Sequence, residues 1–75
     1  MKPIYLFLAD GSEEMEALAV VDILRRAGLS VRTVSVTGNL MVRGSHDILI
    51  QADDVFEEAS LDNASMFILP GGLPG

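Results

Sequence analysis

The sequence predicts an α/β fold built on a doubly wound, mostly parallel sheet. Residues 3–9 form a nearly continuous apolar run, which is typical of a parallel strand covered on both faces. A helical pattern follows, and residues 29–36 then alternate between apolar and polar side chains, as a second strand does. This order of strand, helix and strand is how such folds begin.

The first helix is expected over residues 13–27. Asp10 or Ser12 can cap its first turn, because both side chains can accept hydrogen bonds from free backbone N–H groups. Gly28 supplies the stop, since glycine readily adopts the left-handed conformation that ends helices.

Shorter elements are expected in the second half of the chain. Residues 40–43 and 47–50 predict a β-hairpin or two edge segments, and residues 52–59 predict an acidic turn with a short helical piece. Residues 65–69 predict another buried strand.

Two loops follow the carboxyl ends of predicted strands, residues 10–16 and residues 70–75. Ligands of open α/β sheets bind beyond the carboxyl ends of the strands. If the two strands are neighbours, the loops face the same crevice.

Composition excludes several classes of function. The net charge is −6, with 11 acidic and 5 basic residues, so neither nucleic acid nor an anionic membrane is an expected partner. The 75 residues contain no cysteine, which removes disulfides and any cysteine nucleophile from this stretch. The apolar run at the amino terminus is short and leads directly into Asp10, so we expect a buried strand, not a signal peptide, and a cytoplasmic location.

The length predicts one small domain at most, and a domain this short buries only about 60% of its unfolded surface. Strands this apolar need helices on both faces, yet only one long helix is predicted. We therefore expect residues 1–75 to be the incomplete amino-terminal part of a single domain, which a second polypeptide segment completes.

Glu16 is the leading candidate for a functional side chain. It shares a predicted helix face with Ala19, Val20 and Ile23, which lie three, four and seven residues later. A carboxylate on such a core-facing stripe must be paired, protonated or used. The alternative is an ion pair with a neighbouring strand or subunit.

The other two glutamates of the helix start have simpler explanations. The polar stripe is placed at Asp22, Arg25 and Arg26, and Glu14 lies closest to it, so solvent accounts for Glu14. Glu13 lies in the first turn, where negative charge is favoured.

Three further candidates stand outside the helix. Gly71 and Gly72 end a predicted strand and can point N–H groups at an anion or oxyanion, although the residues alone favour a plain tight turn. His46, the single histidine, can contact a substrate or simply lie on the surface. A solvated face is preferred to a metal site for the acidic cluster of Asp53, Asp54, Glu57 and Glu58.

Taken together, four segments resemble the amino-terminal part of the DJ-1/ThiJ/PfpI superfamily, and most closely its DJ-1/ThiJ branch. They cover nearly all of the chain in order. The segments are Leu8–Glu16 (LADGSEEME), Val21–Gly28 (VDILRRAG), Gly44–Asp47 (GSHD) and Ile68–Gly72 (ILPGG).

The resemblance implies a flavodoxin-like sandwich longer than these residues, with a nucleophilic cysteine on a strand-to-helix turn in the second half. It implies that Glu16, with its carboxyl group protonated, hydrogen-bonds that cysteine. It also implies that Gly72 offers a backbone N–H to an oxyanion pocket. The position of His46 is often arginine in such proteins and lies near the pocket across a homodimer contact.

It also implies a cysteine-dependent hydrolase of the glyoxalase, deglycase or amidase type, linked to oxidative stress and acting on small reactive aldehydes without a cofactor or metal. These residues alone cannot catalyse that reaction, because covalent catalysis needs its nucleophile. The alternatives are a redox sensor or chaperone of the same family, a flavodoxin-like binder of phosphate or flavin, and a receiver-like domain using Asp10.

Overall fold

The computed structural model describes residues 2–71, which form a helix packed on a four-stranded parallel sheet, with a two-stranded hairpin beside it. The strands of the larger sheet follow the order β5-β2-β1-β6, and the hairpin pairs β3 with β4. The bounds are β1 Ile4–Leu8, α1 Glu14–Arg26, β2 Val31–Ser35, β3 Met41–Arg43, β4 Leu49–Gln51, β5 Asp54–Val55 and β6 Met66–Ile68, with 3-10 turns at Phe56–Glu58 and Leu61–Asn63.

Strand β1 is central and parallel to both of its neighbours. Ile4 pairs with Val31 of β2 on one side and with Met66 of β6 on the other. Leu6 and Leu8 of β1 are completely buried. The predicted α/β class and the parallel strand pair are thus confirmed, because an apolar run without alternation belongs inside a sheet.

Helix α1 packs on this sheet through Ala17 and Val21, which are 0% and 7% exposed. Val42 of the hairpin and Ala52 close the same apolar cluster from the side. The part of the chain that the structure describes contains no helix long and apolar enough to cross a membrane.

The predicted carboxyl-terminal end of α1 agrees with the structure, and the predicted amino-terminal cap does not. Gly28 has a φ of 84°, the left-handed conformation expected of a stop residue. The predicted caps Asp10 and Ser12 are wrong. Glu13 is the N-cap, and its side chain accepts a hydrogen bond from Met15 N at 3.1 Å.

The predicted caps bind elsewhere. Asp10 Oδ1 accepts a hydrogen bond from Arg43 N at 3.0 Å and so fastens the hairpin. Ser12 Oγ accepts one from Ala9 N at 3.0 Å. Both side chains therefore stabilise the loop before α1, and Glu13 caps the first turn of the helix.

The helix face that meets the sheet also differs from the prediction. Arg25, placed in the solvent stripe, reaches the sheet: its Nη2 donates to Val31 O at 2.8 Å and to Asp53 Oδ2 at 3.0 Å. Its aliphatic stem lets the charged end reach these acceptors from the edge of the packed face. At 3.6 residues per turn Glu14 lies only about 20° from Arg25, so Glu14 shares the sheet-facing side.

The prediction that strand β6 is buried is wrong, because two of its three side chains are exposed. Met66 and Phe67 are 55% and 53% exposed. The reason is position: β6 lies at the edge of the sheet, with β1 as its partner in the described residues. The hairpin prediction is confirmed, with Val42 opposite Ile50 in an antiparallel pair. Residues 52–59 contain strand β5 in addition to the predicted turn and helical piece.

Candidate active site

The candidate site lies at the carboxyl end of β1, where the first turn of α1 is held between two loops. On one side Glu13 N donates a hydrogen bond to Gly71 O at 2.8 Å. On the other side Ser45 N, in the turn between β3 and β4, donates to Ser12 O at 2.8 Å. Three segments that are far apart in sequence therefore meet at the helix start.

Glu16 and Gly71 are brought into direct contact. Gly71 N donates to Glu16 Oε1 at 2.9 Å. A Cβ atom added to Gly71 would lie 3.1 Å from the same oxygen, so glycine suits this close approach. The predicted partner Gly72 lies outside the described residues.

The face of α1 that carries Glu16 is not the face that packs on the sheet, which corrects the prediction of a core-facing stripe. Glu16 and Ala19 are exposed, and Ile23 is 63% exposed. The buried residues of the helix are Glu14, Ala17 and Val21, spaced three and four residues apart. Glu16 therefore reaches Gly71 along the rim of the site. Of its apolar neighbours, Ala19 and Ile23 are uncovered, and Val20 is partly buried against the core cluster.

Glu14, predicted to face solvent, is the buried acid of the helix start, with 3% exposure. Its Oε2 accepts hydrogen bonds from His46 N at 2.8 Å and Ile48 N at 3.2 Å. Its Oε1 lies 2.9 Å from His46 Nδ1 and accepts a hydrogen bond from Ser45 Oγ at 3.2 Å. One carboxylate thus fastens the whole turn 44–48 to the helix.

The turn is shaped to accept this carboxylate. A Cβ on Gly44 would lie 2.2 Å from Glu14 Cδ, a separation that only glycine avoids. Asp47 has a φ of 64°, in the left-handed region that aspartate tolerates better than most residues. The signal that could have revealed Glu14 is therefore its i, i+3, i+7 spacing with Ala17 and Val21, together with a glycine in the turn.

The charges of this turn shift two pKa values. Burial raises the pKa of Glu14, but the hydrogen bonds from the His46 side chain and from nearby backbone N–H groups outweigh it and lower that pKa from 4.5 to about 2. The hydrogen bond to Glu14, followed by the charges of Glu13 and Glu14, raises the pKa of His46 above 6.5. Both shifts favour the charged pair.

This pair should make stability depend on pH with a maximum between two limits. A lowered carboxyl pKa stabilises the fold above pH 4.5, and that gain is lost as the pH falls toward about 2. A raised imidazole pKa stabilises the fold below pH 6.5, and that gain is lost as the pH rises through the folded value.

The measurement is the urea midpoint of the intact protein against that of His46→Gln at each pH. We expect the difference between the two proteins to be largest between pH 4.5 and 6.5. A difference that does not change with pH would show that the two side chains are not coupled.

Glu13, Glu14 and His46 also bring candidate metal-binding atoms within 4.8 Å of one another. Both oxygens of Glu14 are already used by hydrogen-bond donors of the turn. We therefore interpret the cluster as an anchor for residues 44–48 and assign no metal to it.

An apolar cavity of about 290 Å³ opens beside the helix start, on the sheet face opposite α1. It lies at the carboxyl ends of β1 and β2, where ligands of such sheets bind. It is lined by Phe7, Ala9, Ser12, Val36, Phe56, Leu69 and Pro70.

Comparison with known proteins identifies the family. The model of the DJ-1/PfpI family matches residues 2–75. The chain belongs to the DJ-1/PfpI family. The resemblance inferred from the sequence motifs is thereby confirmed, and the structural comparisons below confirm the flavodoxin-like fold.

Curated DJ-1 proteins match most of the chain. It is similar to Protein DJ-1 homolog B of Arabidopsis thaliana, with 41% identity over 68 residues, which cover 91% of this chain and 16% of that protein. It is similar to Protein dj-1beta of Drosophila melanogaster, with 38% identity over 74 residues, which cover 99% of this chain and 40% of that protein. The chain thus spans well under half the length of these relatives.

Solved DJ-1 structures share its fold. Oxidised Toxoplasma gondii DJ-1 superposes with a TM-score of 0.93 at 33% identity, covering all of this chain and 41% of that one. A DJ-1 superfamily protein of Salmonella typhimurium gives a TM-score of 0.92 at 37% identity, covering all of this chain and 40% of that one.

Proposed function

We propose that this chain forms the amino-terminal part of a longer DJ-1/PfpI protein that acts on reactive aldehydes through a cysteine thiolate. The nucleophile would come from polypeptide beyond these 75 residues, which contain no cysteine. The observation that carries the proposal is the 2.9 Å hydrogen bond from Gly71 N to Glu16 Oε1. It puts a carboxyl group and the glycine loop at one place, beyond the carboxyl ends of β1 and β6.

The proposed chemistry is addition of the thiolate to the aldehyde carbonyl. A sulfur–carbon bond forms, the π bond of the carbonyl breaks, and its electron pair moves to the oxygen. The Gly72 N–H donates to that oxyanion, and Glu16 supplies the proton that neutralises it. Gly71 and His46 are proposed to contact the substrate.

The test is consumption of methylglyoxal by the intact protein, measured before and after alkylation with iodoacetamide. We expect turnover that alkylation abolishes, because a capped sulfur cannot attack a carbonyl. Turnover that survives complete alkylation, or no turnover with any small oxoaldehyde, would contradict the proposal.

A redox sensor or chaperone is the second candidate, and one comparison favours it. The Toxoplasma gondii DJ-1 structure, 33% identical to this chain, is of the oxidised protein. Mass spectrometry after peroxide treatment separates the candidates. Selective formation of a cysteine sulfinic acid in a protein without aldehyde turnover would favour sensing.

We also propose that a second polypeptide segment covers the open surfaces of this chain and that the intact protein is a homodimer. Large apolar side chains are exposed on the helix and around β6. Examples are Met15, Ile23 and Leu69, which are 81%, 63% and 78% exposed. Patches of this kind mark surfaces that are covered in the functional protein.

Residues 1–75 expressed alone are therefore expected to associate or to remain poorly protected. Light scattering measures the association, and amide hydrogen exchange of β1 and β6 measures the protection. The intact protein is the control, in which both strands should exchange slowly. A stable, monodisperse monomer of residues 1–75 would contradict this proposal.

A further inference from the structure

The imidazole of His46 is held at one of its two ring nitrogens, Nδ1. Its Nδ1 lies 2.9 Å from Glu14 Oε1, 3.1 Å from Ser45 Oγ and 3.6 Å from Glu13 Oε1. The side chain of His46 is 64% exposed, and that of Glu14 is 4% exposed. Within residues 2–71, Nε2 has no hydrogen-bond partner.

The location of the proton follows from the chemistry of the partner. An ionised carboxylate can only accept hydrogen bonds. Because the pKa of Glu14 is about 2, the group is ionised throughout the neutral range. Nδ1 must therefore be the donor in its contact with Glu14 Oε1, in both the charged and the neutral imidazole.

We propose that Glu14 is a positioning residue for His46, which keeps the ring proton on Nδ1 and leaves the outward-facing Nε2 as the atom that binds and releases protons. A carboxylate that receives the Nδ1–H of a histidine fixes both the tautomer and the ring orientation, as it does in other carboxylate–histidine pairs. The turn also has an anchor separate from this contact, because His46 N and Ile48 N donate to the other carboxylate oxygen.

The charged groups around the imidazole support this assignment. Glu13 and Glu14 face Nδ1 from the start of α1, and both favour the protonated ring. On the hairpin itself, Arg43 is paired with Asp47. Nε2 is thus an N–H donor below the pKa of His46 and a lone-pair acceptor above it.

Nuclear magnetic resonance of the intact protein, labelled with ¹⁵N-histidine, tests the assignment. His46→Gln identifies the resonances. Above the pKa we expect the neutral ring of the wild type to carry its proton on Nδ1, and the tautomer itself is read from the wild-type protein. A wild-type ring with its proton on Nε2 would overturn the proposal.

The matched variants are Glu14→Gln and Glu13→Gln, which each remove one charge near Nδ1. We expect Glu14→Gln to raise the acid dissociation constant of His46 severalfold, and Glu13→Gln to raise it less and to leave the tautomer unchanged. Equal effects of the two variants would show that charge acts without positioning, and would overturn the proposal.

The kinetic consequence rests on the proposed function, in which His46 contacts the substrate. The KM for methylglyoxal should change with pH at a midpoint equal to the His46 pKa, and Glu14→Gln should move both values together. If the protein is active but the pH midpoint of KM differs from the His46 pKa, the kinetic consequence is overturned and the proposed function stands. An inactive protein with the Nδ1–H tautomer would contradict the proposed function and support the positioning role.

Discussion

The Glu16→Gln variant of the intact protein is expected to lose at least about a hundredfold in kcat for methylglyoxal, because general acid–base catalysis contributes about 10²–10⁴ to such rates. The amide keeps the size of the side chain and can still accept the hydrogen bond that Gly71 N donates to Glu16 Oε1. It cannot supply a proton to an oxyanion. Stopped-flow or steady-state assays of aldehyde consumption measure the loss.

The matched control for this prediction is Glu57→Gln. Glu57 is an exposed acid in the 3-10 turn Phe56–Glu58. The same substitution there should leave kcat within about twofold, since exposed charges contribute little. If Glu16→Gln keeps full turnover, Glu16 has no part in the mechanism.

The Glu14→Ala variant is expected to lower the thermal midpoint of the intact protein by more than about 5 °C and to loosen the turn 44–48. The substitution removes the acceptor of the His46 and Ile48 backbone N–H groups and opens space beside Gly44. Both hydrogen bonds are partly buried, so donors that lose their acceptor here carry part of the cost of desolvation. Calorimetry gives the midpoint, and amide hydrogen exchange reports the two N–H groups directly.

Glu13→Ala is the control for Glu14→Ala. Its carboxylate caps α1 by accepting a hydrogen bond from Met15 N at 3.1 Å and makes no hydrogen bond to the turn. It should therefore lower the midpoint less and leave the exchange of the His46 and Ile48 amides unchanged. Unaltered exchange of these amides in Glu14→Ala would show that the turn holds its shape without the carboxylate.

The sheet could be predicted from local patterns because a strand that is buried on both faces has a continuous run of apolar residues. The unbroken apolar run of residues 3–9 predicted β1, and Gly28 predicted the end of α1. The family could be recognised from short motifs in order, since each motif forms a turn or a helix start of fixed geometry. The proximity of Glu16 and Gly71 followed from the rule that neighbouring parallel strands end at one edge.

The roles of the glutamates could not be read from spacing alone. A charged residue was taken to mark the solvent side of α1, yet Arg25 reaches Val31 O and Asp53 across the edge of the sheet. As a result the wrong face of α1 was predicted to meet solvent, and Glu14 was predicted to be exposed. The four donors that hold Glu14 come from the turn 44–48, which lies more than thirty residues away in sequence.

The exposure of β6 illustrates a different limit. An apolar strand predicts burial, but it does not say which polypeptide provides the cover. Met66 and Phe67 are about half exposed on a sheet whose described residues pair β6 with β1 alone. The apolar pattern indicates that β6 is covered in the folded protein, and the described residues cover it only in part.

We expect Glu16 and the glycine loop to lie at the place where a cysteine thiol of the intact protein acts. An experimental structure of the intact protein tests it most directly through the distance between the Glu16 carboxyl group and the nearest cysteine sulfur. We expect a hydrogen-bond separation between the two groups, with the contact between Gly71 N and Glu16 retained. A reactive sulfur far from Glu16, with that side chain turned to solvent, would contradict it.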